Sequence, residues 1–173
     1  ERLVKIAKIE GNIKLPEGFP VVKNDVVIPA KTSVKIILDQ NYLTNAYPNV
    51  EFSHGKDASI TLSYTEALYT QFPYKGNRNE VEGKRFLGRT DSIIADGSIN
   101  QKFTSLTYRT YRYIQLSITT QDEPITLHDI YGTFTGYPFQ LNASLSTPND
   151  EISKMLEIGW RTARLCAHET YMD

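Results

Sequence analysis

Strict alternation of apolar and polar side chains runs through Ile114-Gln115-Leu116-Ser117-Ile118-Thr119. The same period of two recurs in Val34–Asp39 and in Ser59–Tyr64. Successive side chains of a strand point to opposite faces, so each stretch predicts a strand with one buried face and one face in water. Three such stretches in one chain indicate that sheet structure dominates the fold.

Further β-branched or aromatic runs predict more strands, at Leu3–Ile9, Val21–Ile28, Arg89–Ile94, Ser98–Phe103 and Ile125–Phe134. Turn residues separate them: Asp96-Gly97 predicts a tight hairpin between the flanking strands, and Ala46-Tyr47-Pro48-Asn49 predicts a break. Short strands at this spacing predict a mainly β fold, an antiparallel, jelly-roll-like β-sandwich over residues 1–145. The longest candidate loop is Gln71–Lys84, and loops of that length are often functional.

The composition excludes several classes of partner. Hydrophobic residues make up 40% of the chain and charged residues 23%, which is typical of a globular protein. The net charge of -1 argues against binding to nucleic acid or to an anionic membrane, which needs a clustered basic excess. No apolar run approaches the roughly 20 residues that a membrane-spanning helix needs, so no membrane span is predicted.

The pattern changes to a helical one near the end of the chain. Asn149 or Asp150 can cap a helix, because their side chains accept hydrogen bonds from its free N–H groups. One apolar face follows at spacings of three and four residues, formed by Ile152, Met155, Leu156, Gly159, Ala163 and Cys166. Cys166 is the single cysteine, which excludes an internal disulfide, and its place on this face predicts a buried structural thiol.

The last fifteen residues, Gly159–Asp173, include Arg161-Thr162-Ala163-Arg164 and His168-Glu169-Thr170-Tyr171-Met172-Asp173. This segment resembles the opening of the catalytic domain in bacterial α-L-rhamnosidases, inverting glycoside hydrolases with an (α/α)6 barrel. Lys75–Glu80, Tyr108–Leu116 and Asp122–Leu127 are similar to the sandwich domain that precedes the barrel in the same family. The resemblance implies a piece of a larger enzyme, with residues 1–145 as an accessory sandwich and residues 146–173 as a linker and the first helix of a truncated barrel.

The resemblance also implies roles for three residues near the end of the chain. Asp173 is expected to bind the hydroxyls of rhamnose, while His168 and Glu169 are expected to support neighbouring groups rather than to catalyse. The general acid and the general base are expected beyond residue 173, so the resemblance places no catalytic residue in this segment. Charge pattern alone favours a different interpretation of this helix, a solvated face with weak ion pairs.

Aromatic side chains in or beside the predicted loops suggest a second function. Tyr69, Phe72, Tyr74 and Tyr108 could form a platform for sugar rings, although for each one alone an ordinary strand residue is the favoured interpretation. The implied partner is a rhamnose-containing glycan or glycoside, with packing of the sandwich on the barrel. The alternatives are a stand-alone carbohydrate-binding module, and a sandwich that serves only as a dimerisation surface.

No cofactor or metal is predicted. His54, His128 and His168 lack the cysteine or carboxylate neighbours that zinc sites show, and neither a phosphate-binding glycine loop nor a nucleophile elbow is present. The resemblance favours a periplasmic or extracellular parent protein and is also compatible with a cytoplasmic one.

Overall fold

The computed structural model describes residues 1–172 and divides into two compact units. The first unit comprises Glu1–Thr133, and the second begins at Phe134. The sequence pattern instead places a domain boundary between residues 145 and 146, and that boundary stays a prediction. The fold class predicted from the sequence, a mainly β antiparallel sandwich followed by a C-terminal helix, is confirmed.

The first unit is an eight-stranded sheet with antiparallel pairing. Its strands in chain order are β1 Lys5–Glu10, β2 Val26–Ile28, β3 Ser33–His54, β4 Ser59–Thr65, β5 Arg89–Ile94, β6 Gln101–Thr104, β7 Arg109–Thr119 and β8 Ile125–Phe134. Hydrogen bonding gives the order β2-β8-β3-β7-β4-β5, and β1 and β6 both pair with β3.

The strand β3 spans 22 residues and pairs with four others. Its first half lies between β1 and β7, and its residues Asn49–Phe52 pair with β6. The register with β7 shifts between Asp39 and Thr44, where the ladder is interrupted. One long, irregular strand therefore joins strands that are far apart in the sequence.

The alternating stretches seen in the sequence supply the main core. Ile36, Leu116 and Ile60 are fully buried, as are their neighbours two residues away on the same face. A single apolar cluster joins side chains of β2, β3, β4, β7 and β8. Strands that are far apart in the hydrogen-bonding order, such as β2 and β4, therefore contribute to one core. Such packing of apolar faces is how a sandwich excludes water.

Three local predictions were wrong. The strand predicted for Val21–Ile28 is formed only at Val26–Ile28, because the chain turns before it, with the Val22 N–H donating to the Gly18 carbonyl. The break predicted at Ala46–Asn49 lies inside β3. The hairpin predicted at Asp96-Gly97 is not formed, because β5 pairs with β4 while β6 pairs with β3.

A smaller cluster forms on the opposite face of the sheet. Ile37 is buried although its neighbours Ile36 and Leu38 point to the main core. It packs with Leu68 and Tyr113, and Val81 and Phe86 cover them. The long segment between β4 and β5 is therefore attached to the outside of the sheet.

A buried ion pair lies at the register shift of β3. The Asp39 side chain is 2% exposed, and Arg112 donates to it from Nε at 3.0 Å and from Nη2 at 3.2 Å. The Asn41 N–H donates to the same carboxylate at 2.7 Å. Burial by itself would raise the pKa of Asp39, but the hydrogen bonds from Arg112, Asn41 and Lys5 outweigh it and hold the pKa below its ordinary value.

The second unit contains the helix α1, Asp150–Cys166. The Asn149 side chain accepts a hydrogen bond from the Glu151 N–H, so the predicted N-cap is confirmed. No helix residue is buried, and Cys166 is only half-buried, so the prediction of a buried thiol was wrong. After the helix the chain folds back, and the Met172 N–H donates to the Cys166 carbonyl at 2.8 Å.

We predict that Asp39→Asn lowers the free energy of unfolding at pH 7 by about 2 kcal/mol, because Arg112 loses its charged partner. The folded pKa of Asp39 is depressed, so its contribution is present above the unfolded pKa of about 4 and is lost as the pH falls through the folded pKa. Urea denaturation should therefore show that the difference in free energy of unfolding between wild type and Asp39→Asn becomes smaller as the pH falls.

The matched control is Asp122→Asn, which removes an exposed pair with Lys31 in which the Asp122 side chain is 87% exposed. Exposed pairs contribute little, so we expect a change of less than about 0.5 kcal/mol at any pH. A gap between wild type and Asp39→Asn that stays constant down to pH 2 would contradict the assignment.

Candidate functional site

A cleft of about 640 Å³ lies where the end of β4 meets the beginnings of β5 and β7. Tyr69 and Tyr108 line it, and both are half-buried. The Tyr108 ring packs edge-on against Tyr47, with the ring centroids 6.4 Å apart. The volume is within the range of small-ligand pockets, about 300–1,000 Å³.

An ion pair forms one part of the cleft. Arg109 lines the cleft and donates to Asp91 from Nε at 3.2 Å and from Nη2 at 2.5 Å. Burial alone would raise the pKa of Asp91, but the Arg109 hydrogen bonds are the main cause of its net lowering. The Arg109 guanidinium also lies 5.6 Å from the centre of the Tyr64 ring. The pair is thus held in a fixed geometry that supports charge-assisted hydrogen bonding.

Tyr64 separates the cleft from the core. Its side chain is 3% exposed, and its ring lies 6.0 Å from that of Tyr111. Burial, followed by the nearby Asp91 carboxylate, raises the pKa of the Tyr64 hydroxyl above its ordinary value. Tyr64 therefore stays protonated over the physiological range and acts as a neutral polar group.

The segment Gln71–Lys84 contributes Lys75 to the lining of the cleft. Tyr69 and Arg85 exchange both backbone hydrogen bonds, at 2.9 and 2.8 Å, which closes the segment at its base. The Lys84 side chain is 5% exposed, and its ammonium donates to the carbonyls of Lys75 and Asn77. Lys75 in turn pairs with Glu66 at 3.0 Å and lies 5.6 Å from the Tyr69 ring centre. A segment without regular strands is therefore held by specific internal bonds.

The same segment is tied to the sheet at a second point. The Arg112 Nη1 donates to the Asn79 side chain at 2.6 Å, and the Tyr113 hydroxyl donates to the Arg78 carbonyl at 2.9 Å. Arg112 is also the partner of Asp39, so the irregular centre of β3 and the wall of the cleft share one guanidinium. These hydrogen bonds hold the segment Gln71–Lys84 against β7.

The aromatic residues singled out in the sequence have different surroundings. Tyr69 and Tyr108 lie in the same cleft. Phe72 packs on Tyr69 with the ring centroids 5.7 Å apart, yet it is 70% exposed. Tyr74 is 71% exposed. The structure therefore brings two of the four candidates together and places a third beside one of them.

The residues implied by the C-terminal resemblance lie only partly within the described structure. Glu169 is exposed, and the His168 N–H donates to the Thr170 carbonyl at 3.1 Å. Asp173 lies outside the described residues. The roles expected for all three stay predictions.

A second polar group of residues contains His128. Its Nδ1 lies 2.7 Å from Asp25, and its Nε2 lies 2.7 Å from the Ser53 hydroxyl. This order of groups is that of a hydrolytic triad. However, Ser53 is only 5% exposed, and its oxygen accepts the Asn100 N–H at 2.9 Å. The arrangement joins β3, β8 and the turn before β6, and its geometry supports a structural role.

Within residues 1–172 no group of three histidine, cysteine or carboxylate side chains is placed to hold a metal ion. In the same range no helix has the length and apolar character to cross a membrane.

Several cleft residues were missed in the sequence. Arg89 and Arg109 line the cleft and Asp91 pairs with Arg109, but all three lie in ordinary strand stretches, so nothing in the local pattern sets them apart. The available signal was a charged residue at the start of each of two strands, Arg89 in β5 and Arg109 in β7. That signal is common on sandwich surfaces and becomes specific only once the strands are paired.

We predict that Gly88→Ala destabilises the first unit by roughly 1–3 kcal/mol, because overpacking forces neighbouring backbone apart. A Cβ at this position would lie 1.8 Å from the Tyr64 carbonyl oxygen. Urea denaturation followed by far-UV circular dichroism measures the change. Gly159→Ala is the control, since a Cβ there meets nothing within 4 Å and replaces glycine in a helix. The control should be unchanged or more stable by up to about 1 kcal/mol, and equal losses in both variants would contradict the packing argument.

Comparison with known proteins supports the fold. No protein-family model matches the sequence. No curated protein matches it either. Among solved structures, a GH78 family rhamnosidase of Bacillus sp. GL1 matches 88% of this chain at 23% identity, with a TM-score of 0.70. A rhamnosidase from Klebsiella oxytoca with rhamnose bound matches 85% at 11% identity, with a TM-score of 0.63.

The chain spans 15% of the Bacillus protein and 29% of the Klebsiella protein. The CBM32 domain of AlyQ matches 76% of this chain at 7% identity, but its TM-score of 0.42 is too low to support an argument. The resemblance to rhamnosidases that the sequence predicted is thus confirmed at the level of the fold.

Proposed function

We propose that this chain is part of a glycoside hydrolase whose parent protein hydrolyses terminal α-L-rhamnosides with inversion. The observation that supports this most is the fold match to two rhamnosidases over more than four-fifths of the chain. The run Arg161–Asp173, which resembles the opening of the family's catalytic domain, supports it independently. In this proposal residues 1–145 are a non-catalytic sandwich, and residues 146–173 lead into the barrel.

The exposed helix is consistent with this assignment. α1 has no buried residue, and Ile152, Met155, Leu156 and Ile158 are each at least 40% exposed. Apolar residues grouped on a helix normally face a partner. In the proposal the partner is the remainder of the catalytic barrel, whose helices would cover α1.

The proposed chemistry assigns a limited part to this chain. In single-displacement inversion one carboxylic acid protonates the leaving oxygen, and a second carboxylate activates water from the opposite face, about 6.5–9.5 Å away. Both groups would belong to the parent protein beyond residue 173. Asp173 would orient the sugar through charge-assisted hydrogen bonds to its hydroxyls, which can strengthen in the transition state.

We predict that Asp173→Asn in the full-length parent lowers kcat/KM for 4-nitrophenyl α-L-rhamnoside by about a hundredfold, because charge-assisted hydrogen bonds to the sugar are weakened. Glu157→Gln is the matched control, since Glu157 is exposed and its ion-pair partner within residues 1–172 is Arg161, one helix turn away. The control should keep its activity within about twofold. Equal activity in parent and Asp173→Asn would remove Asp173 from the substrate site.

We predict that the 173-residue chain by itself does not hydrolyse the same substrate, because both catalytic carboxylates are assigned to the rest of the parent. Release of nitrophenol is the measurement, with buffer alone and the full-length parent as the two references. Turnover by the chain above the buffer rate would contradict the assignment of the catalytic residues.

A second candidate function is carbohydrate binding by the sandwich itself. The cleft favours it, because Tyr69 and Tyr108 combine apolar ring faces with the charged pair Arg109–Asp91. Such a mixture of a few polar groups and aromatic walls is typical of small-ligand sites. Calorimetric titration of the chain with rhamnose tests it, and the absence of heat at millimolar sugar would favour a purely structural sandwich.

A further inference from the structure

One cationic residue of the cleft differs from the others. Lys75 pairs with Glu66 at 3.0 Å, and Arg109 pairs with Asp91. Arg89 also lines the cleft, but its guanidinium has no ion-pair or hydrogen-bond partner among residues 1–172. The paired charges neutralise each other, so the cleft keeps one uncompensated positive charge.

The position of Arg89 directs that charge toward the cleft. Arg89 and Asp91 are two residues apart in β5, so their side chains point to the same face of the sheet. Asp91 is bound on that face by Arg109, which lines the cleft. Arg89 pairs across the sheet with Tyr64, and Tyr64 lines the cleft as well. The free guanidinium therefore lies on the same surface as the aromatic and paired groups.

These groups together specify a chemical class of ligand. A guanidinium matches a carboxylate with two parallel hydrogen bonds, which a neutral hydroxyl cannot accept. The half-buried rings of Tyr69 and Tyr108 offer apolar faces to the C–H groups of a sugar ring. A small inorganic anion would use the arginine but would leave the aromatic walls and most of the 640 Å³ unused.

We propose that this cleft binds a uronosyl residue, a sugar ring carrying a carboxylate, with Arg89 as the partner of the carboxylate. The fixed pair Arg109–Asp91 supplies hydrogen bonds to ring hydroxyls, and the tyrosines contact the ring. The proposal rests on the second candidate function, carbohydrate binding by the sandwich, and does not depend on Asp173 or on rhamnoside hydrolysis.

The test is a titration of the ¹⁵N-labelled chain with methyl β-D-glucuronide and with methyl β-D-glucoside, its neutral counterpart. The expected result is tighter binding of the glucuronide by about tenfold, with amide shifts grouped at residues 64–69, 87–89 and 107–110. Arg89→Gln should remove this preference, so that the glucuronide and the glucoside bind with equal affinity. High salt should reduce the preference for the glucuronide as well, because the ion pair between Arg89 and the sugar carboxylate would be exposed to solvent.

The matched control is Arg85→Gln. Arg85 is exposed and also has a free guanidinium within residues 1–172, but it does not line the cleft. Its substitution changes the net charge by the same amount and should leave the glucuronide preference intact. An equal loss in both variants would mean a non-specific charge effect and would overturn the proposal.

Three further outcomes of the titrations would each overturn part of the proposal. Equal affinity for glucuronide and glucoside would overturn the role of Arg89 while keeping carbohydrate binding by the sandwich. Acetate that competes as well as the glucuronide would show a general anion site and overturn the sugar assignment. No shift with either sugar would overturn the binding function of the cleft altogether, and none of these results bears on hydrolysis by the parent.

Discussion

The long strand β3 is the constraint on which the first unit depends. It hydrogen-bonds four other strands, and its inward side chains contribute to the single core that both layers share. The register of this 22-residue strand with β7 shifts between Asp39 and Thr44. The buried Asp39–Arg112 pair satisfies polar groups at the point where the ladder is interrupted.

The cleft is a further consequence of that arrangement. Arg112 connects β3 with Asn79, and the segment that contains Asn79 contributes Lys75 to the cleft. Lys84 fixes the other side of the segment by donating to carbonyls within it. Tyr69 is therefore positioned by hydrogen bonds that begin in the sheet, although it belongs to a stretch without long regular strands.

The sequence predicted the fold better than it predicted the site. Regular alternation is a local signal, and it located β4, the second half of β7 and the first part of β3. The pairing of strands is not local: Asp96-Gly97 has ideal turn chemistry, but β5 finds its partner in β4 and β6 finds its partner in β3. Ala46–Asn49 has turn residues, but neighbouring strands on both sides keep it extended.

The cleft could not be assembled from the sequence for the same reason. Asp91 and Arg109 are distant in the chain and become partners only because β4 lies between β5 and β7. Aromatic composition suggested four residues without distinction, of which Tyr69 and Tyr108 line the cleft while Phe72 and Tyr74 are exposed. Burial and strand pairing distinguish the residues that line the cleft from the exposed ones, and neither can be deduced from composition.

The dependence on β3 has a consequence for the growing chain on the ribosome. β1 precedes β3 and can pair with it at once, but the partner of Ser33–Ala46 on the other side is β7, which is synthesised much later. Until then β3 has an unpaired apolar edge, the kind of edge that pairs with other chains. Such long-range pairing also slows folding. Conditions that protect such an edge during synthesis, a low temperature or added chaperones, should therefore improve the soluble yield.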